Sequence, residues 1–375
     1  MSAVVQVITA LERGGAQRVA LEMAARLHRE DRPQHLVTGS FAALGNEARA
    51  RLGRRLHLVP DLGNALSPAR DVSALFALQR AFSRLLAHHG ELLVHTHSSK
   101  AGVLGRLAAR SLRGVRVVHT VHGFGFDALG PRARPLLLAA ERVAGAATDA
   151  LVFVSDSDRA LADELRLGLR ASRHTVRAGV DEERFRPASD EARREARARF
   201  GIPLGAPLAL TVANLKPQKD PLFHVEALAA WRRARPEAQL LFLGDGLLRG
   251  EVETRAHALG VRGALSLPGF VDDVSAAYAA ADVFLLASRW EGLPCAALEA
   301  LAAGLPVVVR DAGWAGDLGF STRVLRRPPS ASPDDVARAL EDALVLGRSV
   351  VRLPRPFTLE GMLEQLDALY DDLLG

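Results

Sequence analysis

Short runs of Val, Leu and Ile recur along the chain, separated by longer stretches whose apolar residues return every three to four positions. The first run, residues 4–9, is almost wholly apolar and predicts a buried strand. The stretch behind it sets Val19, Leu21, Met23, Ala24 and Leu27 on one helical stripe. The alternation continues with predicted strands at 35–38, 56–59, 92–95, 115–119 and 150–154, and helices at 73–87 and 100–111 among them. Apolar strands separated by amphipathic helices predict a mostly parallel sheet covered on both faces.

The pattern breaks at 177–187, where Ala178-Gly179-Val180-Asp181 leads into Phe185-Arg186-Pro187. It resumes after a charged helix at 191–200 and a Gly/Pro-rich connector at 201–207. Strands are predicted at 208–212, 239–243, 265–267, 283–286 and 307–309, with helices at 222–235, 249–259, 274–280 and 296–303. A last helix at 359–374 carries Met362, Leu363, Leu366, Leu369, Tyr370 and Leu373 on one stripe. The expected fold is α/β, with two Rossmann-like domains: 1–182 together with a C-terminal helix 357–375 crossing back to it, and 183–356. Ligands of such sheets sit beyond the carboxyl ends of the strands, and two such domains facing one another would enclose a central cleft. The chemistry is therefore sought in the loops that follow strands.

Composition narrows the class. With 375 residues, 49% hydrophobic and 24% charged, the chain has the balance of a globular protein long enough for two cores. Cys295 is the only cysteine, which excludes an intrachain disulfide and a multi-cysteine zinc site. No stretch reaches the ~18 uncharged apolar residues of a membrane span; the nearest, 135–154, is interrupted by Glu141, Arg142 and Asp149. The N-terminal apolar run is short and has no basic region before it, so the expected compartment is the cytoplasm. Residues 1–182 hold 25 basic against 17 acidic side chains, a net +8, and residues 183–375 hold 23 against 26, a net −3. A basic first half suits anionic lipid or a phosphorylated substrate. The basic residues are scattered and lack interleaved aromatics, so nucleic acid is not an expected partner.

Four strand-end segments carry candidate chemistry. In Ser288-Arg289-Trp290-Glu291-Gly292-Leu293-Pro294-Cys295-Ala296-Ala297-Leu298-Glu299, a Gly-x-Pro turn opens a helix. The free N–H groups and positive end of that helix are a seat for a diphosphate. Glu291 and Glu299 stand about two helical turns apart, roughly 12 Å, too far to share one proton but suited to two ends of an extended ligand. A capping glutamate and a solvated one would give the same spacing. In Val212-Ala213-Asn214-Leu215-Lys216-Pro217-Gln218-Lys219-Asp220, two of the chain's three lysines fall together; the third is Lys100. A chain that otherwise uses arginine places compact ammonium groups here, where they could balance a leaving diphosphate. The segment His119-Thr120-Val121-His122-Gly123 puts a histidine beside a glycine at a strand end. Gly14-Gly15 opens the first helix and lets a diphosphate or an acceptor approach its N-terminus. Neither a Gly-x-Gly-x-x-Gly fingerprint nor a Gly-Lys-Ser/Thr loop is present, which counts against nicotinamide dinucleotide and P-loop chemistry. His95-Thr96-His97-Ser98-Ser99-Lys100 has paired histidines without a supporting carboxylate or cysteine cluster, so no metal is expected.

These motifs, spread over nearly the whole chain, resemble the retaining glycosyltransferases of the GT-B fold, in the large family that includes many bacterial polysaccharide and lipopolysaccharide enzymes. In that family two glutamates with seven residues between them bracket the Gly-x-Pro turn. The resemblance implies that Glu291 contacts the donor sugar and Glu299 the ribose, with Gly292, Leu293 and Pro294 at the diphosphate. It implies Lys219 as the diphosphate lysine and places Asn214 where the family has an arginine, with Lys216 nearby as a partial substitute. His122 matches the histidine against the donor sugar, and Gly14 and Gly15 match the glycine-rich loop. Gly246 and Val271 match loops beside the donor, Val271 near the nucleobase. His97 and Lys100 are the expected acceptor contacts. The implied function is transfer of a sugar from a nucleoside diphosphate, UDP being the expected nucleotide, to an acceptor hydroxyl with retained configuration and no cofactor. The most similar enzymes are those of exopolysaccharide and lipid-linked glycan assembly, which implies a lipid-linked acceptor and a peripheral place on the inner face of the plasma membrane. A nucleotide-sugar epimerase of the same fold, or a non-catalytic sugar-nucleotide-binding protein, would share most of these residues.

Overall fold

The computed structural model describes residues 2–126, 132–311 and 313–375. They form two compact units, Met1–Gly179 with Glu360–Gly375, and Val180–Leu359. In the first unit, β1 (Ser2–Ile8), β2 (Gln34–Thr38), β3 (Leu56–Leu58), β4 (Glu91–His97), β5 (Val115–Val121), β6 (Ala150–Phe153) and β7 (Ser172–Thr175) make one sheet. Its order is β3-β2-β1-β4-β5-β6-β7, with every pairing parallel. In the second, β8 (Leu208–Val212), β9 (Gln239–Leu243), β10 (Leu265–Gly269), β11 (Val283–Leu286), β12 (Val307–Arg310) and β13 (Val324–Arg327) lie in the order β10-β9-β8-β11-β12-β13, again all parallel.

Helices separate the strands and bury their apolar stripes on the sheets. Helices Pro68–His89 and Ser99–Arg110 cover one face of the first sheet, packing Leu78, Phe82, Ala101 and Ala108 against Val5, Val7 and Val94. Helix Gly15–Arg26 packs Ala20, Leu21 and Ala24 around Ile8 and Leu36. Edge strands β7 and β13 were absent from the hydrophobic pattern because Ser172-Arg173-His174-Thr175 has no apolar residue and Val324-Leu325-Arg326-Arg327 only two. Helix Pro333–Leu346 was also missed, although Ser332 and Asp335 form a reciprocal capping box at its start, a signal readable in Ser-Pro-Asp-Asp.

The last helix, Leu359–Leu374, packs on the first unit. It buries Met362, Leu363, Leu366, Leu369 and Tyr370. Its outer side is stitched down by arginines at the end of the first helix and just after it. Arg26 pairs with Glu360 at 2.7 Å, Arg29 with Asp367 at 3.0 Å and Asp371 at 3.1 Å, and the buried Arg32 with Asp371 at 2.6 Å and with Asp367. The unit boundaries differ slightly from the expected 182 and 357. Val180 N–H donates to the Phe357 carbonyl at 3.0 Å and Leu359 N–H to the Val180 carbonyl at 2.9 Å. The two passages of the chain are thus zipped together, and both belong to the second unit.

Two outcomes follow from this packing. Buried histidines concentrate in the first unit. Burial holds His35 and His95 at about 3, and His97 and His119 well below the ordinary imidazole range. Above pH 6.5 they are neutral in both folded and unfolded chains. As the pH falls from 6.5 towards 4, the unfolded chain takes up protons that the folded one refuses, costing ~1.4 kcal/mol per pH unit for each. All three tryptophans, Trp231, Trp290 and Trp314, lie in the second unit. Acidification to pH 4 is therefore expected to lower the far-ultraviolet circular dichroism before tryptophan fluorescence changes; loss of both signals together would contradict it. The second outcome concerns Gly244, at φ 139°, where a Cβ would stand 1.9 Å from the Ala213 carbonyl oxygen. Gly244→Ala is expected to destabilise the fold by on the order of 3 kcal/mol in thermal unfolding; an unchanged melting temperature would show that the backbone yields freely.

Candidate active site

In the second sheet the chain runs from β8 to β10 towards one edge and from β11 to β13 towards the other. The reversal lies between β8 and β11, the position at which parallel sheets open a crevice at their carboxyl edge. Lys219 follows β8 and Glu291 follows β11. Their side chains meet in an ion pair, Lys219 Nζ to Glu291 Oε1, with little of either exposed. Gln218 joins the same cluster, donating from Nε2 to the Trp290 carbonyl at 2.9 Å and to Glu291 Oε2 at 3.4 Å.

Lys219 is aimed by the residues that follow it. Asp220 has left-handed backbone, φ 47°, and is the last residue before helix Pro221–Ala234. Burial pushes its carboxyl up, but Arg310 and Arg289 outweigh that and hold it below the usual carboxylate range. His224 donates from Nδ1 to the Asp220 carbonyl at 3.0 Å and accepts from Ala287 N–H at Nε2, 3.1 Å. Burial pulls His224 down to about 4, so it serves as a neutral strut between the lysine loop and the end of β11. Asp220, Arg289 and Arg310, with Ser288 and Pro329, line a hollow of about 280 Å³.

The turn Gly292-Leu293-Pro294 is buried, and Pro294 caps helix Cys295–Ala302. Its carbonyl accepts from Ala297 and Leu298 N–H at 3.0 and 3.4 Å, which leaves the amides of Cys295 and Ala296 directed out of the helix end. No acidic residue stands in that first turn to neutralise it. Glu299 accepts a 2.7 Å hydrogen bond from Tyr278 Oη, which also reaches the Ala296 carbonyl at 3.1 Å. Burial and then Glu299 raise the Tyr278 hydroxyl well above its ordinary value, so it stays a donor. The Cys295 thiol is pushed up to about 12 by burial and by Glu299; Glu291 adds to the effect and Lys219 opposes it. One thiol thus senses all three candidate charges, and it remains protonated and unreactive.

Asn214 lies in the loop after β8, which is clamped to the Gly244-Asp245-Gly246 loop after β9. Leu215 N–H donates to the Asp245 carbonyl at 3.0 Å, and a Cβ on Gly246 would stand 2.5 Å from the Leu215 carbonyl oxygen. Val271 is partly buried in the next loop, after β10. The C-terminal loops of β8, β9, β10 and β11 therefore carry the second-unit candidates on one edge of the sheet, apart from Glu299, which lies in helix Cys295–Ala302.

The first unit is arranged around its own reversal, between β1 and β4. Gly14 caps helix Gly15–Arg26, both glycines are exposed, and no acidic residue occupies the first turn. His122 follows β5 and is partly buried, and burial holds its imidazole at about 4. Gly123 behind it has φ 111°, a turn that suits glycine. His97 does not stand where an acceptor contact was expected. It is fully buried, with Nε2 at 2.9 Å from Gln6 Oε1 and Nδ1 at 3.0 Å from His122 Nε2. Being the last residue of β4, it points into the sheet's packed face rather than into the loop. Lys100 is likewise committed, to Asp71 at 2.5 Å and to the Ala65 carbonyl. Sequence reasoning missed Gln218, Asp220, His224, Tyr278 and Arg310. Pro221 marks a helix start after Asp220, but nothing local discloses that Asp220 is left-handed or that Arg310, 90 positions later, holds it.

Among the described residues no group of three or more His, Cys, Asp or Glu side chains is placed to hold a metal ion, and no helix is long and apolar enough to cross a membrane.

Comparison with known proteins places this geometry in a family. Residues 192–348 match the family described as glycosyl transferases group 1, and residues 14–179 match the glycosyl transferase 4-like domain. The chain is similar to the Escherichia coli UDP-Gal:alpha-D-GlcNAc-diphosphoundecaprenol alpha-1,3-galactosyltransferase, 31% identical over 306 residues, covering 79% of this chain and 76% of the relative. It is 32% identical to the GDP-mannose-dependent alpha-(1-6)-phosphatidylinositol monomannoside mannosyltransferase of Mycobacterium tuberculosis over 273 residues, 70% of this chain and 69% of that one. Its fold matches that of Anabaena HepE in complex with UDP and glucose, with a TM-score of 0.78 at 17% identity, over 99% of both chains. The two parallel sheets, the loops gathered at their carboxyl edges and these relatives converge: the chain belongs to the group 1 glycosyl transferases and is a glycosyltransferase of the GT-B fold.

Proposed function

We propose that this glycosyltransferase moves a sugar from a nucleoside diphosphate, with UDP the expected nucleotide, to a hydroxyl of a lipid-linked glycan acceptor, retaining the anomeric configuration. The observation that carries the reading is the Lys219–Glu291 pair beside the acid-free N-terminus of helix Cys295–Ala302. An ammonium group and a row of amide donors suit a diphosphate whose negative charge grows as the sugar leaves. Glu291 and Glu299, held by Gln218 and Tyr278, accept from sugar and ribose hydroxyls respectively. Asn214 takes the neutral side of the diphosphate, Gly292, Leu293 and Pro294 supply its seat, Gly246 stands beside it and Val271 lies near the nucleobase. In the first unit, Gly14 and Gly15 line the approach and His122 meets the donor sugar.

The reaction in this reading forms a bond between the acceptor oxygen and C1 while the C1–O bond to the diphosphate breaks. The bonding pair goes to the departing phosphate oxygen, which takes the acceptor proton from the same face. Lys219 and the helix end stabilise the charge that appears there, so the proposal needs no metal. The lipid-linked acceptor is supported by the name of the E. coli relative, which acts on a diphosphoundecaprenol-linked sugar. The excess of basic residues before position 183 is consistent with an anionic surface.

Lys219→Ala is expected to lower kcat for sugar transfer by about 10²–10³, the usual cost of losing one donor to a developing oxyanion. Glu299→Gln is expected to act mainly on donor KM, raising it about tenfold, as loss of a charged hydrogen bond does. Both are read by nucleoside diphosphate release together with mass spectrometry of the product. Transfer within twofold of the wild-type rate in Lys219→Ala would end the donor-site assignment, and donor epimerised without acceptor would replace transfer by isomerisation. Binding to vesicles containing anionic lipid is expected to weaken steeply between 50 and 300 mM salt, on the order of the screening expected for exposed charges. Sedimentation that ignores salt, or no binding at low salt, would remove the membrane-surface part of the proposal.

A further inference from the structure

Gln6 is a polar residue within β1, an interior strand of the first sheet, flanked by Val5 and Val7, and it is fully buried. Its neighbours explain it. Gln6 Nε2 donates to Gln34 Oε1 at 3.2 Å and to Tyr370 Oη at 3.0 Å, while Gln6 Oε1 lies 2.9 Å from His97 Nε2. Tyr370 Oη lies 2.6 Å from His95 Nδ1, and His95 Nε2 lies 2.6 Å from Thr120 Oγ1. At the other end, His97 Nδ1 is 3.0 Å from His122 Nε2. One unbroken line of hydrogen bonds therefore runs from Thr120 through His95, Tyr370, Gln6 and His97 to His122.

Such a line has a direction, because a neutral imidazole carries one N–H and one lone pair. Burial keeps His95 at about 3, His97 lower than its ordinary range and His122 at about 4, and pushes the Tyr370 hydroxyl up, so every ring in the line is neutral near pH 7. The oxygen of the Gln6 amide faces His97, so His97 donates from Nε2 and its Nδ1 is bare. A bare His97 Nδ1 accepts, so His122 donates from Nε2. His122 is left with an unprotonated Nδ1 on the side of the ring away from His97.

We propose that Tyr370, Gln6 and His97 are positioning residues that hold His122 as its Nε2–H tautomer, so that Nδ1 accepts a hydrogen bond from a substrate hydroxyl. This deepens the preceding reading, in which His122 meets the donor sugar, and rests on it for the identity of that hydroxyl. It makes the last helix part of the apparatus, because Tyr370 is its only contribution to the line. The direction is that of the Gln6–Gln34 pair as placed, with Gln6 Nε2 donating to Gln34 Oε1. Turning Gln6 alone would bring its oxygen against Gln34 Oε1. Turning both amides is the competing arrangement; Gln34 Nε2 has no partner as placed, and that arrangement would move the proton of His122 to Nδ1.

The test is the tautomer itself, read in the full-length protein by long-range ¹H–¹⁵N correlation across the histidine rings at pH 7. Protonated Nε2 and bare Nδ1 at both His97 and His122 are expected; a protonated Nδ1 at His122 overturns the proposal. Tyr370→Phe removes the acceptor of the Gln6 N–H. It is expected to shift the His122 ring nitrogens towards values averaged between tautomers and to lower kcat about fivefold, with donor KM within about twofold. Ring nitrogens that do not move in this variant overturn the role of Tyr370. Gln6→Glu keeps an oxygen facing His97 and is expected to preserve the His122 tautomer, and its loss there overturns the route through Gln6. Because the ring signals need no turnover, a chain with the expected tautomers and no sugar transfer would sink the proposed reaction while leaving the positioning line in place.

Discussion

In a parallel sheet every strand delivers its carboxyl end to the same edge, and where the strand order reverses the connecting loops part to opposite faces and leave a hollow. Both sheets of this protein reverse once, between β1 and β4 and between β8 and β11. That constraint decides which distant residues can meet. Lys219 and Glu291 are 72 positions apart, yet they follow the two strands that flank the second reversal and pair directly. At the first reversal Thr9 and Ser98 stand 3.4 Å apart across the same kind of opening.

The two reversals are finished by different physics. In the second unit the site is ionic, and its geometry depends on partly buried charges held in fixed contact. Lys219 and Glu291 have lost much of their water, so their mutual orientation is set by protein dipoles and by the Asp220 turn rather than by solvent. A site already organised in this way need not rearrange when charge develops on a ligand, which is the condition under which electrostatic stabilisation is largest. Arg310, Arg289 and His224 hold no candidate ligand group themselves, but they fix the left-handed Asp220 from which Lys219 projects.

In the first unit the line of buried groups around Gln6 is neutral. Desolvation suppresses the charge of His95, His97 and His122, and the last helix brings Tyr370 to Gln6 and His95. The ion pairs of Arg29 and Arg32 with Asp367 and Asp371 fasten that helix from its outer side. Its packing is therefore linked to the orientation of the protons along β1, β4 and β5, and through them to His122.

The alternation of apolar runs and helical stripes determined the α/β class, the two units and the last helix, because burial of those runs is forced by the hydrophobic effect whatever their partners. The turn 292–294, the lysine loop and the two glutamates were legible as segments that follow strands, with two of the chain's three lysines in one of them. Edge strands β7 and β13 were illegible for the complementary reason: half-exposed and polar, they are held by pairing with β6 and β12. Only tertiary structure assigned partners. His97 and Lys100 read as acceptor contacts from their place after a strand, yet the first is turned into the core against Gln6 and the second is held by Asp71. Asp220, His224, Tyr278 and Tyr370 carry no local signal, because what they do depends on atoms far along the chain. Local sequence sets which way a segment folds, whereas the direction of a hydrogen bond or the partner of a charge is decided only when the packed chain brings the other end within ~3 Å.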